Sequence, residues 1–166
     1  MSFVAILMGS ESDWPVMQNA SETLKKLGIK FEVRITSAHR TPEATMEYVS
    51  DAQHRGCAAF ICGAGMAAHL AGAVAAHTVR PVIGVPIDSG PLSGFDALLS
   101  TVQMPGGIPV ATVAVGKAGA RNAAYLAAQM IALADTKLSD RLVADREENR
   151  AKVQSQNSRL QAEIGE

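Results

Sequence analysis

The feature that most restricts how this chain folds is its first apolar run, Phe3-Val4-Ala5-Ile6-Leu7-Met8, which stops at Gly9-Ser10-Glu11-Ser12-Asp13. The run is short for a helix and lacks the polar alternation of a strand with one wet face. It suits a strand of a parallel sheet covered on both sides, and successive parallel strands need crossover connections, usually helices. The rest of the chain supplies them. Ser12 or Asp13 can cap a helix that has Trp14 and Pro15 in its first turn, turns Val16, Met17, Ala20, Leu24 and Leu27 to the core, and ends at Gly28. A second strand is expected over Phe31 to Thr36, then a helix from Pro42 to about Arg55 closed by Gly56. Cys57 to Cys62, Pro81 to Pro86 and Val110 to Val115 read as strands three to five. Helices are expected from the His69 region to about His77, from Phe95 to Val102 and from Ala120 to Ala134.

Strands alternating with helices at this spacing predict an α/β fold: a three-layer αβα sandwich around a doubly wound parallel sheet of about five strands. One domain is expected over residues 1–166, with residues 136–166 a C-terminal helical extension. The apolar residues of that extension, Leu138, Leu142, Val153, Leu160 and Ile164, are too sparse to bury a wide face. It either lies over a neighbouring subunit or frays. Together with the alanine-dense helix before it, this leans toward a homo-oligomer.

Hydrophobic residues make up 48% of the chain and aromatics 4%, so the core has to be assembled from small aliphatics. The net charge of -1 provides no basic stripe for counterion release, which argues against long nucleic acids as partners. No apolar run reaches the length of a membrane span, and no charged segment precedes a cleavable apolar one, so a soluble, cytoplasmic protein is expected. Cys57 and Cys62 are five apart on one expected strand, hence on opposite faces, and read as buried free thiols. No metal-ligand spacing appears.

Chemistry concentrates where strands hand over to helices, at the carboxyl edge of the sheet, where α/β proteins bind ligands. The second such loop is Ser37-Ala38-His39-Arg40-Thr41-Pro42, with Thr41 as N-cap, Pro42 as first helical residue and Glu43 as first-turn acid. His39 can move a proton in either direction near neutrality, and Arg40 offers a fork of donors to phosphate or carboxylate. An ordinary turn with a solvated Arg and a His over the helix end would look the same. The first loop presents the Ser10 and Ser12 hydroxyls and free N–H groups at a helix start, either an oxyanion cradle or a plain capped turn. Asp13 there suits a ribose hydroxyl, or orientation of the loop, better than a phosphate. The third loop, Gly63-Ala64-Gly65, lets backbone approach a planar ligand, with His69 close behind; a packing pair of glycines and a surface His is the other reading. His54 and His77 fall at helix C-termini, where the dipole explains them.

Two rival functions share these residues. Gly63-Ala64-Gly65-Met66-Ala67-Ala68 fits the GxGxxA dinucleotide pattern with Asp88 downstream, but it opens the third strand–helix unit rather than the first. It also leaves Ser10, Asp13, His39 and Arg40 without a role. A phosphate-ligand sensor without turnover is the other rival, and His39 with the glycine loop argues against it.

Taken together, Met8-Gly9-Ser10-x-Ser12-Asp13-Trp14, Ser37-Ala38-His39-Arg40-Thr41-Pro42, Gly63-Ala64-Gly65-x-Ala67-Ala68-His69-Leu70, Gly84-Val85-Pro86 and the stretch from Val102 to Val110 resemble the PurE family of purine biosynthesis. The resemblance runs from residue 3 to about 134. It implies a flavodoxin-like subunit, a homo-octamer with sites at subunit contacts, and no metal, nucleotide or organic cofactor. It implies a phosphoribosyl-aminoimidazole substrate whose carboxylate moves from the exocyclic nitrogen to a ring carbon, with His39 as catalytic acid/base. Ser10, Asp13 and Arg40 are then expected at the ribose phosphate end, with Ser12 and Ser37 beside them, and Gly63, Ala64, Gly65 and His69 along the pocket. Arg40 and the Ala67-Ala68-His69-Leu70 wording resemble the mutase class rather than the class that uses carbon dioxide directly. Met66, where the family usually has glycine, and Ala71, where it usually has proline, are departures.

Overall fold

The computed structural model describes residues 2–165, and the chain divides after Ala127 into two compact units. In the first, β1 is Phe3–Met8, β2 Phe31–Ile35, β3 Cys57–Gly65, β4 Val82–Ile87 and β5 Ala111–Thr112. All pairings are parallel, in the order β2-β1-β3-β4-β5. The connecting helices are α1 (Trp14–Lys26), α2 (Pro42–His54), α3 (Leu70–Ala75) and α4 (Phe95–Val102), and α5 (Lys117–Ala132) follows the last strand and runs past the division. This is the doubly wound α/β sandwich that the alternation of elements predicts.

Every residue of β1 and β4 is buried, as wholly apolar central strands require. One face of the sheet turns Phe3, Ala5, Leu7, Phe60 and Cys62 against Val49 and Ala52 of α2 and Leu70 and Val74 of α3. Each such large side chain contributes about 1.5–3 kcal/mol on burial. On α1, Met17, Ala20 and Leu24 are fully buried, and Val16 only partly. Asn19 of α1 accepts a hydrogen bond from Arg121 Nε of α5 at 3.2 Å.

Three expectations are corrected. β3 continues through Gly63, Ala64 and Gly65, which pair with Val85, Pro86 and Ile87 of β4, so the glycine segment is strand rather than loop. Cys57 and Cys62 are buried free thiols, but they join the same core cluster. A register shift opposite Phe3 and Val4 skips one residue of β3 and restores Cys57 to the Cys62 side. β5 is only two residues long, although Val113 N–H and Gly116 N–H still donate to Gly84 and Pro86 carbonyls of β4.

The second unit contains α6, Thr136–Ile164, capped by Asp135, whose carboxylate accepts from Leu138 N–H at 3.0 Å. Along it Arg150 pairs with Glu147 and Lys152 with Glu148, while Val143, Val153, Leu160 and Ile164 are exposed. Among the described residues no helix is long and apolar enough to cross a membrane.

Candidate active site

The sheet order changes direction between β1 and β3, and their carboxyl ends diverge into the crevice where doubly wound folds bind ligands. The loop after β1 begins as a 3-10 turn, Glu11–Asp13, closed by a capping box. Ser10 Oγ accepts from Ser12 N–H at 3.3 Å, and Asp13 Oδ2 accepts from Ser10 N–H at 3.1 Å. Ser12 Oγ–H also donates to Ser10 Oγ at 3.0 Å. Ser10 therefore caps this turn, and Asp13, although at the N-cap position of α1, makes no side-chain cap there. Burial raises the Asp13 carboxyl above its ordinary value, against the opposing pull of the Ser10 and Gly9 N–H groups and of Arg40. Its role in orienting the loop is therefore direct.

The loop after β2 is held from beneath by hydroxyls. Thr45 Oγ1 on α2 donates to the Thr41 carbonyl at 3.0 Å and receives the Thr36 hydroxyl at 2.6 Å. Thr36 and Thr45 are both buried. Thr41 occupies the N-cap position but does not cap α2; its Oγ1 accepts from Ser37 N–H at 2.9 Å. Ser37 Oγ accepts the N–H groups of both His39 (3.3 Å) and Arg40 (3.1 Å). Ser37 thus shapes the backbone that carries His39 and Arg40.

Arg40 reaches back across the crevice, its Nη2 donating to the Gly9 carbonyl at 3.1 Å and joining the first two loops. His39 reaches across β1 to the third loop, its Nε2 lying 2.7 Å from His69 Nδ1. The rings are nearly perpendicular, at 83°, with centroids 4.9 Å apart. His69 sits at the N-cap position of α3, and the turn before it is pinned by α4: Ser100 Oγ accepts from Ala68 N–H at 3.0 Å and donates to the Asp96 carbonyl at 2.7 Å.

These loops enclose one cavity of about 430 Å³. Ser10, Ser12 and Asp13 line it from the first loop, Ser37, His39 and Arg40 from the second, Ala64 and Gly65 from the end of β3, and His69 from the loop after it. Of the residues expected there, Gly63 is the exception: it is buried, and a Cβ on it would stand 2.3 Å from Met17 Sδ. Its missing side chain serves α1 packing. Ser89, after β4, also lines the cavity and was not singled out by the sequence. Its position at a strand's carboxyl end is the signal that would have found it. A Cβ on Gly65 would stand 1.7 Å from Ser89 Oγ, so this glycine admits the hydroxyl. His54 and His77 stay outside the cavity, and His77 Nδ1 donates to the Ala73 carbonyl of α3 at 2.8 Å. Among the described residues, no three His, Cys, Asp or Glu side chains are grouped to hold a metal.

A parallel sheet ordered in this way, with three loops meeting over one cavity at its switch point, defines a flavodoxin-like α/β protein with a small-molecule site. The family model described as AIR carboxylase matches residues 3–152, and the chain belongs to that family. It is 49% identical over 157 residues to the N5-carboxyaminoimidazole ribonucleotide mutase of Bacillus subtilis, covering 95% of this chain and 97% of that one. It is 51% identical over 162 residues to the mutase of the same name from Saccharolobus solfataricus, covering 98% and 100%. Among solved structures it superposes on Treponema denticola PurE with a TM-score of 0.87 at 32% identity, covering 96% of this chain and 99% of that one.

Proposed function

We propose that this chain is an isomerase of purine biosynthesis, an N5-carboxyaminoimidazole ribonucleotide mutase that moves the carboxylate from the exocyclic nitrogen to the ring carbon. The observation that carries the reading is the convergence of a coupled His39–His69 pair and a guanidinium, Arg40, on one cavity in a chain of this family. Arg40 and the Ser10 and Ser12 hydroxyls are assigned to the ribose phosphate, with the helix start behind them. Asp13 holds their loop, and Ser37, Ala64 and Gly65 complete the substrate-facing backbone.

The reaction conserves atoms and electrons. As the carbamate C–N bond breaks, carbon dioxide departs and the exocyclic nitrogen takes a proton from the His39 imidazolium. The electron-rich ring carbon then attacks the trapped carbon dioxide, and His39 recovers a proton from that carbon as the ring regains aromaticity. One imidazole closes the cycle, and His69, hydrogen-bonded to it, fixes its orientation. Proton transfer of this kind supplies roughly 10²–10⁴-fold, and retention of the fragment beside the ring supplies a larger proximity contribution. Neither half-reaction calls on a redox group or organic cofactor.

The protein is assigned to the cytoplasm as a homo-oligomer, an octamer by family resemblance, with residues 136–166 as a C-terminal extension of one domain. Phe95, Leu99 and Val102, exposed at successive turns of α4, support self-association. Direct carboxylation of aminoimidazole ribonucleotide is the second reading, favoured by the wording of the family model. Offering the N-carboxylated ribonucleotide, and separately bicarbonate with the decarboxylated ribonucleotide, decides between them. Efficient turnover of the former alone is the expected result, and equal turnover of the latter would replace the mutase by the carboxylase.

A further inference from the structure

We propose that Met66 is a specificity-determining residue whose thioether forms the apolar face that receives the aminoimidazole ring. The inference rests on the function proposed above and adds to it the side chain that recognises the heterocycle.

Met66 has φ at 53°, in the left-handed region, where glycine is the ordinary occupant because a Cβ crowds the backbone. A strained residue persists only where its surroundings dictate its conformation. Here they do: Ser100 Oγ of α4 accepts from Ala68 N–H at 3.0 Å, which ties the turn to α4 two residues beyond Met66. The side chain does not fill the core, since Met66 is 57% exposed. It lines the 430 Å³ cavity instead, together with His39, His69 and Ser89.

The chemistry of the remaining wall makes this position distinctive. Hydroxyls, a carboxyl, a guanidinium and two imidazoles supply most of the functional groups around the cavity, and the alanines among them are too short to cover a ring. Leu70 also lines it but is only 3% exposed. Among the described residues, Met66 is therefore the one long, accessible apolar side chain on that wall. Gly90 lies beside the stem of this side chain, where a Cβ would stand at ordinary van der Waals distance, 3.5 Å, from Met66 Cγ. The thioether is polarisable, has three rotatable bonds and makes favourable contacts with aromatic rings at about 5 Å. A planar, electron-rich aminoimidazole is a ligand matched to it, whereas the ribose phosphate end has its own partners in Arg40 and the serines.

The test is a calorimetric titration of wild type, Met66→Gly and Met66→Leu with aminoimidazole ribonucleotide and, separately, with ribose 5-phosphate, which lacks the ring. Met66→Gly is expected to weaken ribonucleotide binding about 2–10-fold and to leave ribose 5-phosphate binding unchanged. Met66→Leu is expected to recover part of the loss. Because glycine relieves the left-handed strain, unliganded Met66→Gly should melt no lower than wild type, which separates a lost contact from a lost fold. Unchanged ribonucleotide affinity in Met66→Gly, or equal weakening of both ligands, overturns the inference and leaves the functional reading standing. If wild type binds neither ligand, the functional reading falls and takes this inference with it.

Discussion

His39 Nε2 and His69 Nδ1 are 2.7 Å apart and bring together two loops separated by thirty positions in the chain. A hydrogen bond between two imidazoles needs one nitrogen to carry the proton and the other to accept it, so the contact is lost when both rings are fully protonated. The contact therefore ties the orientation of the His39 ring on the second loop to that of His69.

His39→Asn is expected to fold and to bind the ribonucleotide within a few-fold of wild type, yet to lose roughly 10²–10⁴-fold in turnover. His69→Asn should cost less, and the double variant should lose less than the product of the two single effects because the residues act together. Single-turnover rates paired with equilibrium binding check this. Near-normal turnover of His39→Asn would remove the imidazole from the reaction.

Arg40→Ala removes both the bond to the Gly9 carbonyl and the proposed phosphate contact. A charge-assisted hydrogen bond contributes about 1.5–3 kcal/mol, which corresponds to roughly 10–150-fold in affinity. The loss should appear in Kd for any ribose-phosphate ligand. Arg40→Lys should recover only part of it, since a lysine lacks the planar fork. An unchanged Kd in Arg40→Ala discards the phosphate assignment.

The raised pKa of Asp13 has a consequence for stability. Just above the ordinary value of 3.8, the native protein retains a proton that the unfolded chain has released. Stability linked to this group is thus fully present below 3.8 and declines as pH rises through the raised native value. Asp13→Asn removes the titration while keeping an oxygen acceptor for Ser10 N–H. Denaturant melts across this interval should show wild type losing stability relative to Asp13→Asn as pH rises. A difference that stays flat, or grows in favour of wild type, contradicts the assignment.

Gly63→Ala and Gly65→Ala should separate stability from activity. At Gly63 the new methyl's nearest neighbours are atoms of Met17, a fully buried but flexible side chain, so the variant is overpacked by about 1–3 kcal/mol. At Gly65 it meets Ser89 Oγ, with the Ile87 carbonyl at 3.1 Å, and displaces a group that lines the cavity. Gly63→Ala should therefore lower Tm with kcat/KM of the folded enzyme nearly intact, whereas Gly65→Ala should lower kcat/KM. Thermal melts read beside steady-state kinetics distinguish the two, and the reverse pattern would refute the placement.

Much of this arrangement was legible in the residues. Phe3–Met8 and Phe95–Val102 were expected at their observed bounds, because a short apolar run and a stretch between a glycine turn and a proline turn have few other options. His39, Arg40, Ser10 and Asp13 were singled out by one rule, that chemistry gathers at the carboxyl ends of parallel strands, and all four line the cavity there. What stayed hidden depends on neighbours in space. The glycines of β3 look like a loop in sequence, and only their pairing with Val85–Ile87 and the proximity of Met17 and Ser89 make them strand. The Cys57 face was misassigned because a bulge breaks the period of two without any local signal. Thr45 carries no motif, and its place under the His39 loop emerges only when α2 packs beside Thr36.

That understructure of Thr36, Thr41, Thr45 and Ser37 bears on how kinetic titrations are interpreted. Aliphatic alcohols neither gain nor lose hydrogen ions in the range where enzymes are assayed. The footing of the imidazole consequently stays electrically silent from mildly acidic to mildly alkaline buffer. Inflections in a rate–acidity curve do not arise in this pedestal, because it does not ionise.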